Sequence, residues 1–141
     1  MLRISKSAAD VGVIVKDIEG QRRFYGDILG LPYMGDLPVP NGNLYVFRCG
    51  ETLLKLYHMN PPPTVGSVPF GGQSGFAYIT LSISDLEAAF ERLEEKGVTK
   101  LAPPGIFEAE RDLAPPIGRI RARYALIADA DGNMVELFEY L

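Results

Sequence analysis

The sequence predicts an α+β fold in which a strand, a helix and a small set of strands occur twice. Apolar and polar residues alternate over Asp10–Val15 and again over Tyr78–Ile83, as they do in β-strands. An apolar helical stripe follows each segment and stops at a glycine, first Gly30 and later Gly97. The 11 prolines and 15 glycines indicate many turns, as a strand-rich chain requires.

The composition indicates one soluble globular domain. The 141 residues are 47% hydrophobic and 23% charged, which suits a single sizeable core. A net charge of −4 offers no basic patch, so nucleic acid is not an expected partner. No segment is apolar and long enough to cross a bilayer, and the N-terminus lacks a signal-peptide core. Cys49, the single cysteine, excludes an internal disulfide, and we expect a cytoplasmic protein.

The first half contains the elements of one module, about residues 8–58. Asp17 follows the first strand and is typical of a helix N-cap, and the helix ends before Gly30. Leu31–Met34 is expected to be a short extended piece, and DLPVPNGN, residues 36–43, is expected to be a turn. Residues 44–48 and 52–58 are expected to form a hairpin around Gly50–Glu51.

The second half, about residues 76–140, repeats this order after a Pro/Gly-rich linker at 60–75. Ser84–Glu87 has the sequence of a helix capping box, so the second helix is expected to begin there. Beyond Gly97 the pattern predicts a strand at 98–102, an irregular stretch at 103–118 and a strand at 119–128. We treat residues 1–141 as one domain with two modules.

The last strand carries an unusual carboxylate. Asp131–Gly132 supplies a tight turn, after which Met134, Glu136 and Phe138 fall on one face of a strand. Val135 and Leu137 fall on the other face, which is plain core. A carboxylate directed at a protein interior is costly unless it is paired, bound to a metal or lining a wet cavity. The sequence therefore makes Glu136 a candidate site residue.

Three segments resemble the vicinal-oxygen-chelate superfamily, which includes glyoxalase I, bleomycin-resistance proteins, extradiol dioxygenases and methylmalonyl-CoA epimerase. They are DVGVIVKDIEGQRRFYGDILGL, YITLSISDLEAAFERLEEKGV and DADGNMVELFE. The last is similar to the family's D-P-D-G-x-x-x-E-L signature, with Ala130 in place of the proline. The resemblance covers residues 8–140 in the correct order and spacing.

The resemblance implies two paired βαβββ modules whose sheets form a partly closed cup, with the helices outside. In metal-dependent members, four inward-facing positions on the first and last strands of the modules supply His, Glu or Gln ligands. In this sequence those positions fall on Asp10, Lys55, Tyr78 and Glu136. Only Glu136 keeps a residue that is usual for the family.

Lys55 argues against a metal cofactor. A protonated lysine has three donors and no lone pair, so it cannot be a metal ligand. We expect it instead to neutralise Asp10 and Glu136, with the phenol of Tyr78 donating to either acid. Whether such a network only fills a former metal site or contacts a ligand stays open. A divalent ion is not favoured; if one is present, Asp10 and Glu136 are its expected ligands.

The first functional hypothesis is therefore a glyoxalase/bleomycin-resistance-like protein that binds a small, aromatic or partly apolar molecule without a transition metal. An alternative is a lyase or isomerase that uses Lys55 or Tyr78 with Asp10 or Glu136; another is a metal enzyme with a degenerate ligand set. Lys55, Tyr78 and Glu136 are the catalytic candidates, and whether the chain is an enzyme stays open. The expected ligand-binding residues are Asp10, Lys55, Tyr57, Tyr78, Arg123, Glu136 and Phe138.

The family resemblance also implies assembly. A single module exposes a sheet edge and an apolar face, and such surfaces favour association. We expect a homodimer with two-fold symmetry, in which modules pair within one chain or by exchange between two chains. His58, the only histidine, has the opposite strand parity from Lys55, so it is not expected to join the site.

Overall fold

The chain forms two compact units, each built around one four-stranded sheet. The structure is a computed structural model that describes residues 1–66 and 68–141. Unit 1 is Met1–Gly66 and unit 2 is Ser67–Leu141. In both units a strand and a helix precede three further strands, so the predicted βαβββ order is confirmed twice. Neither sheet closes on itself, because each has two edge strands.

Unit 1 has the strand order β1-β4-β3-β2, with β1 parallel to β4 and the other neighbours antiparallel. The helix α1 continues directly into a π-helical segment over Arg23–Ile28. Its elements are β1 (Val11–Val15), α1 (Ile18–Arg22), β2 (Tyr33–Val39), β3 (Gly42–Cys49) and β4 (Thr52–Met59).

The helix of unit 1 begins and ends where the sequence predicts. The Asp17 carboxylate accepts a hydrogen bond from the Gly20 N–H at 3.0 Å, which satisfies a free amide of the first turn. The segment ends at Gly30, whose φ of 76° favours glycine. A Cβ atom on Gly26 would lie 3.1 Å from a ring carbon of Phe47, so this glycine allows the helical segment to approach the sheet closely.

The region predicted as a turn in unit 1 is mostly strand, which corrects the expectation for residues 36–43. Leu37 pairs with Leu44 and Val39 with Gly42, so β2 runs almost to the turn at Pro40–Asn41. Because β2 is an edge strand, a proline inside it costs no central hydrogen bond.

Unit 2 has the corresponding order β5-β8-β7-β6, with β5 parallel to β8. Its elements are β5 (Tyr78–Ser82), α2 (Leu86–Glu95), β6 (Lys100–Glu108), β7 (Arg121–Ala128) and β8 (Met134–Tyr140). The described residues between β4 and β5 form neither helix nor strand.

The structure corrects the prediction that residues 103–118 are irregular, because β6 extends to Glu108. The predicted strand ended at residue 102 because a central strand would not tolerate Pro103 and Pro104. β6 is an edge strand, and its pairing with β7 shifts register between Ala102 and Gly105, so the two prolines lie in that irregularity.

The predicted capping box of α2 is wrong. Asp85 adopts a left-handed backbone conformation, and its side chain makes no capping hydrogen bond. The cap is instead supplied by Glu139 of β8, whose carboxylate accepts from the N–H groups of Asp85 at 2.7 Å and Leu86 at 3.3 Å. These backbone hydrogen bonds, the one from Asp85 first, lower the pKa of Glu139 below its ordinary value.

Within the described residues, no helix combines the length and the apolar character that crossing a membrane demands.

Candidate ligand-binding faces

The last strand of unit 1 separates a core face from an open face, as the sequence predicts. Leu54 and Leu56 are buried beneath the helix, whereas Lys55 and Tyr57 lie on the other face and are half-buried. On the neighbouring strand, Ile14 shares the open face and is 55% exposed. The open face of this sheet is therefore not covered by the helix of its own unit.

Lys55 contacts Asp10 on this open face, as predicted. Its Nζ lies 3.8 Å from Asp10 Oδ2. Asp10 Oδ1 also accepts from the Leu53 N–H at 2.9 Å and from the ammonium of Lys6. The Lys6 hydrogen bond, and then the Leu53 hydrogen bond, lower the pKa of Asp10, so this carboxylate is held ionised. Lys6 precedes the first predicted strand in a segment with no periodic pattern, so no sequence motif indicates this contact.

Open space adjoins Lys55. Its partners in register are Gly12 on β1 and Val46 on β3, and a Cβ atom on Gly12 would meet nothing within 4 Å. Arg48, paired with Leu53, has the same strand parity and adds a second cation. We call this surface the lysine face, and it consists of Asp10, Gly12, Ile14, Leu44, Val46, Arg48, Leu53, Lys55 and Tyr57.

The last strand of unit 2 divides in the same way. Val135 and Leu137 are buried at 0% and 2% exposure, whereas Glu136 and Phe138 are half-buried on the opposite face. The predicted alternation of this strand is therefore confirmed. We call the surface that carries Glu136 the carboxylate face, and it consists of Tyr78, Thr80, Gly105, Phe107, Tyr124, Leu126, Met134, Glu136, Phe138 and Tyr140.

Glu136 lies in a partly desolvated position on this face. It pairs in register with Thr80 on one side and Leu126 on the other. The Thr80 hydroxyl lies 3.5 Å from Glu136 Oε1, which is the long limit of a hydrogen bond. Burial raises the pKa of Glu136, and the Thr80 hydroxyl opposes this only in part. The carboxylate is thus poised to accept a further donor.

Several aromatic residues share the carboxylate face with Glu136. Phe138 pairs in register with Tyr124 and makes an edge-to-face contact with Tyr140, with ring centroids 5.0 Å apart. The Tyr124 ring lies over Gly105, where a Cβ atom would sit only 3.4 Å from it. Tyr78 is 42% exposed, so its phenol is available on this face. These rings form an apolar surface beside one charged group.

Arg123, expected as a ligand-binding residue, lies on the opposite face of the same sheet. It pairs in register with Glu139, and its Nη1 lies 3.1 Å from Glu139 Oε2. Its Nε lies 3.2 Å from Glu87 Oε1 at the start of α2. These contacts give Arg123 a structural role beside the helix cap, so it is not among the residues proposed to bind a ligand.

The residues present do not fit the metal centre that the family resemblance implies. In unit 1, the Asp10 carboxylate already contacts the ammonium groups of Lys6 and Lys55, which would repel a divalent ion. In unit 2, the Thr80 hydroxyl contacts the Glu136 carboxylate at 3.5 Å. The described residues include no group of three or more His, Cys, Asp or Glu side chains that could hold a metal ion. His58 lies on the face of β4 that carries Leu54 and Leu56, which is opposite to the face of Lys55.

Two open sheets of βαβββ order, each with candidate site residues on the face away from its helix, define a protein built from two βαβββ modules. The family model described as Glyoxalase/Bleomycin resistance protein/Dioxygenase superfamily matches residues 7–137. The chain belongs to this superfamily.

One sequence relative and two solved structures are similar to this chain over most of its length. A probable lactoylglutathione lyase from Synechocystis sp. is 23% identical over 131 residues, which cover 89% of this chain and 88% of the relative. The structure is similar to TnmS3, an antibiotic-binding protein from Streptomyces sp. CB03234, with a TM-score of 0.63, 22% identity and coverage of 99% and 100% of the two chains. A superfamily member from Sphaerobacter thermophilus has a TM-score of 0.65, 27% identity and coverage of 93% and 94%.

Proposed function

We propose that this chain binds a small, partly apolar or aromatic molecule and does so without a transition metal. The observation that carries the proposal is Lys55, which places an ammonium 3.8 Å from Asp10 at a position where the family resemblance implies a metal ligand. An ammonium has no lone pair for a metal, but it can donate to a ligand. The neighbouring Asp10 carboxylate contacts the ammonium groups of Lys6 and Lys55.

The two open faces supply the groups that a partly apolar ligand needs. Ligand sites in proteins combine apolar and aromatic walls with a few placed polar groups. Tyr57 lies beside Lys55 on the lysine face, and Tyr78 and Phe138 share the carboxylate face with Glu136. Similarity in fold to an antibiotic-binding protein is consistent with this proposal.

An enzymatic role is the second candidate, and the raised pKa of Glu136 favours it. A carboxyl group whose pKa lies above its ordinary value can exchange a proton more readily near neutral pH. A lyase or isomerase would use Glu136 or Asp10 with Tyr78 or Lys55 as an acid–base pair. Because one relative is named a probable lactoylglutathione lyase, the appropriate test is a turnover screen with thioester and keto substrates.

We further propose that the two modules act as one domain joined by residues 60–75, and that the chain forms a two-fold homodimer. Each unit has two sheet edges and exposed apolar side chains such as Ile14 and Tyr78, and such surfaces favour association. We place the protein in the cytoplasm, where the single thiol of Cys49 would stay reduced.

Calorimetric titration with a set of small aromatic compounds, with and without EDTA, tests the binding proposal. We expect binding that is unaffected by EDTA and weakened in Lys55→Met. Lys96→Met, at the exposed end of α2, is the matched control and should bind as the wild type does. Binding that requires added zinc, nickel or iron would contradict the proposal.

A further inference from the structure

We propose that the carboxylate face of unit 2 selects aromatic ligands that carry a protonated amine, with Glu136 binding the ammonium and Phe138 and Tyr124 binding the ring. This inference rests on the proposed function and names the ligand class. It is argued from unit 2 alone, whose sheet register brings these three side chains onto one face.

Glu136 is the one charged side chain among the described residues that form the carboxylate face. The arginines of the adjacent strand, Arg121 and Arg123, pair with other elements on the opposite face, where their partners are Glu108, Glu87 and Glu139. Unit 2 contains seven Lys and Arg residues against twelve Asp and Glu residues, which gives a net charge of −5. The field around this face therefore attracts cations.

The rings are positioned to hold the apolar part of such a ligand. Tyr124 and Phe138 are direct neighbours across β7 and β8, and the Tyr124 ring lies beside Gly105 of the edge strand. Glu136 and Phe138 are two residues apart on one strand, which separates them by about 7 Å. An amine two or three bonds from an aromatic ring would span that distance.

A cation completes interactions that a neutral or anionic ligand leaves unmade. The Thr80 hydroxyl at 3.5 Å is a weak partner for Glu136, and a half-buried carboxylate is costly when it is poorly paired. An ammonium would pair with it directly, and the π-faces of the neighbouring rings attract the same charge. An anion at this position would meet repulsion.

The experiment compares three probes of similar size on the full chain at low salt and neutral pH: 2-(1-naphthyl)ethylamine, 2-(1-naphthyl)ethanol and 1-naphthylacetate. Isothermal titration should rank the amine first, with an affinity about tenfold above that of the alcohol, and the carboxylate last. Glu136→Gln, which keeps the shape of the side chain, should reduce the amine to the affinity of the alcohol. Glu91→Gln, exposed on α2, is the control and should keep the preference.

The outcomes separate the two proposals. Equal affinities for the amine and the alcohol in the wild-type protein, or an amine preference that survives Glu136→Gln, would overturn the inference and leave ligand binding in place. If none of the three probes binds, the proposed function and this inference both fail. The ranking in the wild-type protein decides the inference even if the variant does not fold.

Discussion

Substitutions at two adjacent residues of β8, Leu137 and Phe138, should affect folding stability and ligand binding independently. Leu137 is 2% exposed in the core of unit 2, so we expect Leu137→Ala to lower the free energy of unfolding by about 2–5 kcal/mol. Phe138 is half-buried on the carboxylate face. Because part of its ring already meets water, Phe138→Ala should cost less than about 2 kcal/mol, roughly half the value of full burial, yet it should weaken binding of aromatic ligands severely.

Urea denaturation monitored by circular dichroism measures the first quantity, and calorimetric titration with an aromatic ligand measures the second. We expect Leu137→Ala to retain ligand affinity under conditions where it is folded, whereas Phe138→Ala should be stable and bind poorly. If Phe138→Ala lost as much stability as Leu137→Ala while it bound ligand normally, the two faces would be assigned wrongly.

Three further predictions concern the titration of two carboxylates and the assembly of the chain. Burial raises the pKa of Glu136 above its ordinary value of 4.5, so the contribution of this residue to folding stability is present at low pH and is lost as pH rises. Glu136→Gln should therefore be more stable than the wild type at pH 7, and the difference should disappear towards pH 4. Glu139 has a lowered pKa, so its contribution is present above 4.5 and is lost on acidification; Glu139→Gln should be less stable at pH 7 and approach the wild type in acid. Light scattering at micromolar concentration should show a dimer, and a monomer alone would contradict the assembly proposal.

The strand faces could be predicted from the sequence because alternation directly reflects burial. The parity of Leu54 and Lys55 in β4, and of Leu137 and Glu136 in β8, placed core and open residues correctly. The turn after Ala128 also follows from local chemistry. Asp129 accepts from the N–H groups of Asp131 at 3.0 Å and Asn133 at 2.9 Å, which fixes the tight turn.

The remaining features depend on contacts between residues distant in sequence. The Glu139 cap of α2 lies 54 residues from Asp85, so no local motif could show it, and Arg123 pairs with the same carboxylate. The extension of β6 beyond residue 102 was missed because Pro103 and Pro104 are tolerated only through its edge position and irregular register. Lys6 reaches Asp10 from an arm without any periodic pattern.

The metal content of the purified protein tests the central claim most directly. Elemental analysis of protein prepared without chelators should find no stoichiometric zinc, nickel or iron, because Lys55 places an ammonium beside Asp10 at a position where the family resemblance implies a metal ligand. One transition-metal ion per chain, lost on Glu136→Ala, would contradict the account.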